Sequence, residues 1–127
     1  HALGDEALAA RIRDDGIDIL VDLTGHSAFN RLLVFARRPA PIQVTWIGYS
    51  HTTGLSAMDY RITDAFCDPD GETEDQFSET LARLPARVCF QPPANAPAVG
   101  PLPALANGFV TFVSVANRAK VNAETLG

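Results

Sequence analysis

"IDILVDLTGHSAFNRLLVFARRPAPIQVTWIG", Ile17 to Gly48, is the stretch that decides the fold. Ile17 to Thr24 reads as a short strand in which aliphatic residues alternate with Asp18 and Asp22, and the adjacent Leu20 and Val21 predict cover on both faces. "GHSAFN" is a turn. "NRLLVFARR" (Asn30 to Arg38) then has helical patterning, with Asn30 placed to cap its start. Pro39 and Pro41 end it, because each lacks an N–H and pushes its predecessor towards extended backbone. "IQVTWIG" is the next strand, and Trp46, between Val44 and Ile47, is expected to be buried in the sheet. Strand, helix, strand predicts an α/β fold with a Rossmann-like, mostly parallel sheet.

The flanks extend the pattern. Asp5 to Asp15 is an amphipathic helix with acids in its first turn, stopped by Gly16. Downstream come a weaker strand at "DYRIT", a polar loop and short helix around "GETEDQFSE", and then "TLARLP" and "RVCF". Residues 91–108, "QPPANAPAVGPLPALANG", read as a linker, since proline and glycine punctuate alanine without any period. "FVTFVSV" (Phe109 to Val115) is then a strongly apolar strand, and Asn122 caps the start of another helix. The chain opens without methionine and stops where that helix begins, so it reads as a piece of a longer protein.

Composition narrows the function. The 127 residues are 46% hydrophobic, enough for the core of one ordinary domain. A net charge of -5 argues against nucleic-acid and anionic-membrane partners, which need a basic face. No apolar run reaches membrane-span length. Two cysteines, Cys67 and Cys89, form no C-x-x-C pair and are too few for a disulfide framework, which makes a reducing cytoplasm the expected compartment. With His26 and His51 they lack metal-ligand spacing, so no metal is expected. The acidic run Asp68, Asp70, Glu72, Glu74 and Asp75 reads as a solvated face.

Gly25-His26-Ser27-Ala28-Phe29 comes close to a G-x-S-x-G nucleophile elbow, but Phe29 fills the place that the strained turn needs small. No acid-then-histidine pair follows Ser27, so the segment reads as an ordinary turn. The loop after the second strand, "GYSHTTG" (Gly48 to Gly54), is different. Ligands of parallel α/β sheets bind beyond the carboxyl ends of the strands. There Gly48 and Gly54 admit close backbone approach, while Tyr49, Ser50, His51, Thr52 and Thr53 supply donors and acceptors. "TGHSAFN" lies on the same edge, and the two loops together form a candidate rim.

The segment from Asp15 to Asp64 resembles the catalytic region of the O-linked N-acetylglucosaminyltransferases, the bacterial and SPINDLY-like branch in particular. The resemblance runs through D-I-L-V-D, the G-H turn, R-P-A-P-I-Q, W-I-G-Y, T-T-G and M-D-Y. "NGFVTFVSVANRAKVNAETL" resembles the segment that opens that family's second lobe. The resemblance implies a two-lobed glycosyltransferase of the GT-B type. Residues 1–90 would be the C-terminal part of the first catalytic lobe, 91–108 the linker, and 109–127 the first strand and helix start of the second lobe. It also implies UDP-N-acetylglucosamine as donor, serine or threonine of a protein as acceptor, no metal or other cofactor, and tetratricopeptide repeats upstream. Lys120 would neutralise the leaving diphosphate, Asn117 would lie near the nucleotide, and Gly48, flanked by Ile47 and Tyr49, would face the donor sugar. The base would come from outside this chain. The sequence departs from the family pattern at Phe29, Ser50, His51, Ala116 and Ala123. Those departures keep open a non-catalytic scaffold or protein-binding domain. A UDP-sugar enzyme with a small-molecule acceptor is the other alternative, favoured if no tetratricopeptide repeats lie upstream.

Overall fold

A computed structural model describes residues 3–85, 92–113 and 115, which divide into two units, His1–Pro92 and Pro93–Gly127. The strand expected at "RVCF", Cys89, Asn117, Lys120 and the helix expected from Asn122 lie outside the described residues.

In the first unit four parallel strands stand side by side in chain order: β1 (Ile19–Asp22), β2 (Ile42–Trp46), β3 (Tyr60–Asp64) and β4 (Thr80–Leu84). The first is half its expected length, because the Asp22 side chain takes the N–H groups of Thr24 and Gly25 and turns the chain out of the ladder. Helix α1 (Asp5–Asp14) buries Ala9, and Gly16 follows at φ 63°. Ion pairs from Glu6 to Arg37 (2.7 Å) and from Asp5 to Arg31 (3.1 Å) tie it to the segment around α2.

Helix α2 is only Leu32–Phe35, shorter than the expected Asn30 to Arg38. Arg31 occupies the cap position, although Asn30 Oδ1 does accept from the Leu32 N–H at 3.2 Å. The helix ends early because Arg38, just before Pro39, swings to φ 46° and spends its guanidinium on Asp59 (2.7 Å) and the Ala57 and Pro41 carbonyls. Leu32, Phe35 and Met58 form the core, with Leu20 and Leu55 packed against it.

The register sorts the sheet into two unlike faces. Leu20 pairs with Gln43, Asp22 with Thr45 and Thr45 with Arg61, so these side chains share the covered face, which is largely polar at its centre. Gln43 there donates to the Phe35 and Ala57 carbonyls at 2.9 and 2.7 Å. On the other face Ile19 (55% exposed), Val21, Leu23, Ile42 and Tyr60 remain open. Cover on both faces, expected from Leu20 and Val21, therefore holds for Leu20 only. Trp46, expected to be buried, is half-buried on the open side, with its indole nitrogen enclosed.

In the second unit a short helix, α3 (Pro103–Asn107), forms inside the segment read as linker. Proline sits at its start and Gly108, at φ 75°, caps its end. Residues 109–113 are not a strand. An apolar run becomes a strand only when a neighbouring strand pairs with its backbone, and the described residues of this unit offer none. Among the described residues no helix is long and apolar enough to cross a membrane.

Candidate functional site

The rim is built at the carboxyl ends of β1 and β2 by the two loops singled out in the sequence. The first hangs on Asp22, which is 2% exposed. Its carboxylate accepts from the Thr24 N–H (3.1 Å) and hydroxyl (2.9 Å), the Gly25 N–H (2.9 Å) and the Thr45 hydroxyl (3.0 Å). A buried acid with four donors around it holds one shape. Gly25, at φ 51°, lies under Tyr49, and a Cβ there would come within 2.2 Å of the Tyr49 Cβ. His26 Nε2 is 2.9 Å from the Thr53 carbonyl oxygen, and its ring meets the Tyr49 ring edge-on at 5.3 Å. The two loops thus pack into one rim. Phe29 stands out from it, 98% exposed and at φ 63°.

Ile47, Gly48 and Tyr49 lie together at the end of β2. The Gly48 N–H bonds back to the Trp46 carbonyl at 2.7 Å, closing a three-residue turn with Ile47 at its centre. Ile47 has φ 55°, a conformation that costs a β-branched residue about 1–3 kcal/mol and persists only where the surroundings enforce it. One enforcer is Gly48, whose absent Cβ leaves the room occupied by the Leu23 carbonyl. The need for glycine at 48 is met inside the fold, by that close approach.

Three residues that organise the site were not picked out from the sequence. Besides Asp22, these are Arg61 and Glu79. Arg61 extends from β3 under the second loop and donates to the carbonyls of Tyr49 (3.0 Å), Ser50 (3.1 Å) and His51 (3.3 Å). Its guanidinium lies 5.1 Å from the centre of the Phe77 ring, and Nε is 3.7 Å from Asp68. Glu79, 5% exposed, accepts from the Thr53 N–H (2.7 Å), the Thr52 hydroxyl (2.7 Å) and the Thr53 hydroxyl. Burial pushes its carboxyl up, but the bonds from Thr53 and Thr52 outweigh burial and hold it below 4.5. The signals were slight: an acid before a Thr-Gly turn, and a cation in a strand between Tyr60 and Ile62.

The acidic run is more than a solvated face. Asp68 is buried and accepts from the Thr63 hydroxyl, and Glu74 pairs with Arg83 at 2.5 Å. Among the described residues no group of histidine, cysteine and acidic side chains could hold a metal. A cavity of about 320 Å3 opens beside the rim, lined by Trp46, Ile47, Tyr49 and Ser50 on one side and by Arg61 and Asp68 on the other. The arrangement offers an ordered polar edge with half-exposed Ile47 at its lip.

The model of glycosyl transferase family 41 matches residues 3–91. A protein named "Probable UDP-N-acetylglucosamine--peptide N-acetylglucosaminyltransferase SPINDLY", from Arabidopsis thaliana, is 50% identical over 127 residues, 99% of this chain and 14% of that protein. The UDP-N-acetylglucosamine--peptide N-acetylglucosaminyltransferase of Caenorhabditis elegans is 47% identical over 77 residues, 61% of this chain and 7% of that protein. A solved lysine-to-methionine mutant of the Thermobaculum terrenum O-GlcNAc transferase superposes with a TM-score of 0.68 at 45% identity, covering 78% of this chain and 19% of its own. The chain thus spans only a small part of these relatives. The parallel α/β sheet is that of a GT-B glycosyltransferase, and the chain belongs to glycosyl transferase family 41.

Proposed function

We propose that the chain is part of the catalytic region of a protein O-GlcNAc transferase, which moves N-acetylglucosamine from UDP-N-acetylglucosamine to serine or threonine of proteins. The observation that carries this reading is the joint one. The family match spans the sheet, and the sheet sets the Gly25 turn and the Gly48–Gly54 loop on a single edge. In the transfer, the acceptor hydroxyl oxygen bonds to the sugar C1 as the bond from C1 to the diphosphate breaks, and its proton passes to a base supplied from outside this chain. Negative charge then gathers on the departing UDP, and a fixed cation stabilises it more in the transition state than in the ground state. Lys120 is the residue assigned to that task, without a metal, and Asn117 is placed near the nucleotide. Gly48, with Ile47 and Tyr49, faces the sugar. The departures at Ser50 and His51 leave an ordered loop, since the carbonyls from Tyr49 to His51 are all bonded to Arg61, and that order supports a working rim over a degenerate one. The same reading puts tetratricopeptide repeats upstream in the full-length chain and the protein in the cytoplasm.

The test is transfer by the full-length protein, using labelled UDP-N-acetylglucosamine, a protein acceptor and other nucleotide sugars for comparison. Label on serine or threonine from UDP-N-acetylglucosamine supports the reading. Transfer from a different nucleotide sugar alone would change the donor, and no transfer from any would remove the enzymatic reading.

A further inference from the structure

The Tyr49–His51 turn is held from outside itself. Neither Ser50 nor His51 restrains its own backbone as a proline would, yet three successive carbonyls converge on one side chain. Arg61 is 8% exposed and meets them with both terminal nitrogens, at 3.0, 3.1 and 3.3 Å. Only a guanidinium presents a planar fork of donors wide enough for that set; an ammonium is a compact point charge with a different reach. The guanidinium is itself fixed on its other sides by the Phe77 ring and by Asp68. Glu79 holds the next two residues, Thr52 and Thr53, so the loop is gripped by a cation at one end and an anion at the other.

We propose that Arg61 is a positioning residue, whose guanidinium sets the shape of the loop from Tyr49 to Thr53 and thereby the face that the rim offers to the sugar of the donor. The proposal rests on the functional reading above for the word donor, and on geometry alone for the clamp. Loss of the fork frees the three carbonyls from Tyr49 to His51. The loop amides then lose their protection. Thr52, Thr53 and Gly54 all have hydrogen-bonded N–H groups, to His51 Nδ1, to Glu79 and to the Thr52 hydroxyl.

The experiment compares full-length wild type with Arg61→Met and Arg61→Lys at a temperature where all are folded. Hydrogen exchange is read peptide by peptide, and KM for UDP-N-acetylglucosamine is read beside the Kd of UDP alone. In Arg61→Met, exchange across residues 49–54 should speed up by about tenfold or more, with peptides of β1 and α1 unchanged. The donor KM should rise by about tenfold while the UDP Kd moves far less, and Arg61→Lys should fall between. Should Arg61→Met fail to fold, Arg61→Lys, which cannot reproduce the three-carbonyl fork, reads the same two quantities. Unchanged exchange in residues 49–54, or faster exchange spread evenly over the sheet, overturns the clamp. Equal weakening of donor and UDP overturns the positioning role. A wild type that transfers no sugar defeats the functional reading, while the exchange result still decides the clamp.

Discussion

Gly48 lies against Leu23 so closely that a Cβ on Gly48 would sit 1.6 Å from the Leu23 carbonyl oxygen. No real Cβ tolerates that distance, and the obstacle is backbone rather than a side chain that could swing away. Gly48→Ala should therefore push the second loop off the end of β1 and cost about 3 kcal/mol or more. Gly16→Ala is the control: Gly16 has φ 63° but nothing within 4 Å, so only the conformational penalty of about 1–2 kcal/mol applies. Denaturant unfolding of both variants measures the difference. Equal costs would refute the close approach as the reason for glycine at 48.

The Glu79 carboxyl, held below 4.5 by its bonds to Thr53 and Thr52 against the opposing effect of burial, ties the loop to pH. Its folded pKa is depressed, so its contribution is fully present above the unfolded value and is lost as pH falls from about 4.5 through the folded value. Glu74, brought to about 2 chiefly by the Gly71 N–H, is untouched in both proteins and cancels in the comparison. Stability measured from pH 6 down to pH 3 should fall more steeply in wild type than in Glu79→Gln, which cannot titrate. Parallel curves would mean that Glu79 is not bound as described.

Sequence and structure agree where local pattern decides and part where distant contacts do. The strand–helix–strand order was legible from Ile17 to Trp46 because period and prolines mark it. That the loops after β1 and β2 meet was legible only as a consequence of parallel strands. Asp22, Arg61 and Glu79 were not, because their roles depend on the register that places Thr45 between Asp22 and Arg61, and on β4 bringing Glu79 beside Thr53. The shortness of α2 turns on the Arg38 side chain reaching Asp59, 21 residues on, which no helical period reports. "FVTFVSV" failed as a strand over residues 109–113 for the opposite reason: its propensity is strong, but no described strand of its unit pairs with it.

The open face of the sheet carries a consequence for the 127-residue chain by itself. Parallel sheets of α/β proteins are covered on both sides, whereas here Ile19, Val21 and Leu23 are 55%, 42% and 55% exposed. The isolated chain should bind a hydrophobic dye such as ANS and self-associate at micromolar concentration. Val21→Asp should cut dye binding severalfold with little change in unfolding midpoint. An isolated chain that stays monomeric and dark with ANS would show that the face is not open in solution.

Whether this chain belongs to a working transferase is tested most directly at Lys120. The measurement is kcat of the full-length protein with UDP-N-acetylglucosamine and an acceptor protein, for wild type and Lys120→Ala. The role proposed for Lys120, a preorganised charge beside the leaving diphosphate, predicts a drop of about 100-fold or more, with weaker UDP binding and a nearly unchanged Tm. Wild-type turnover in Lys120→Ala would contradict it.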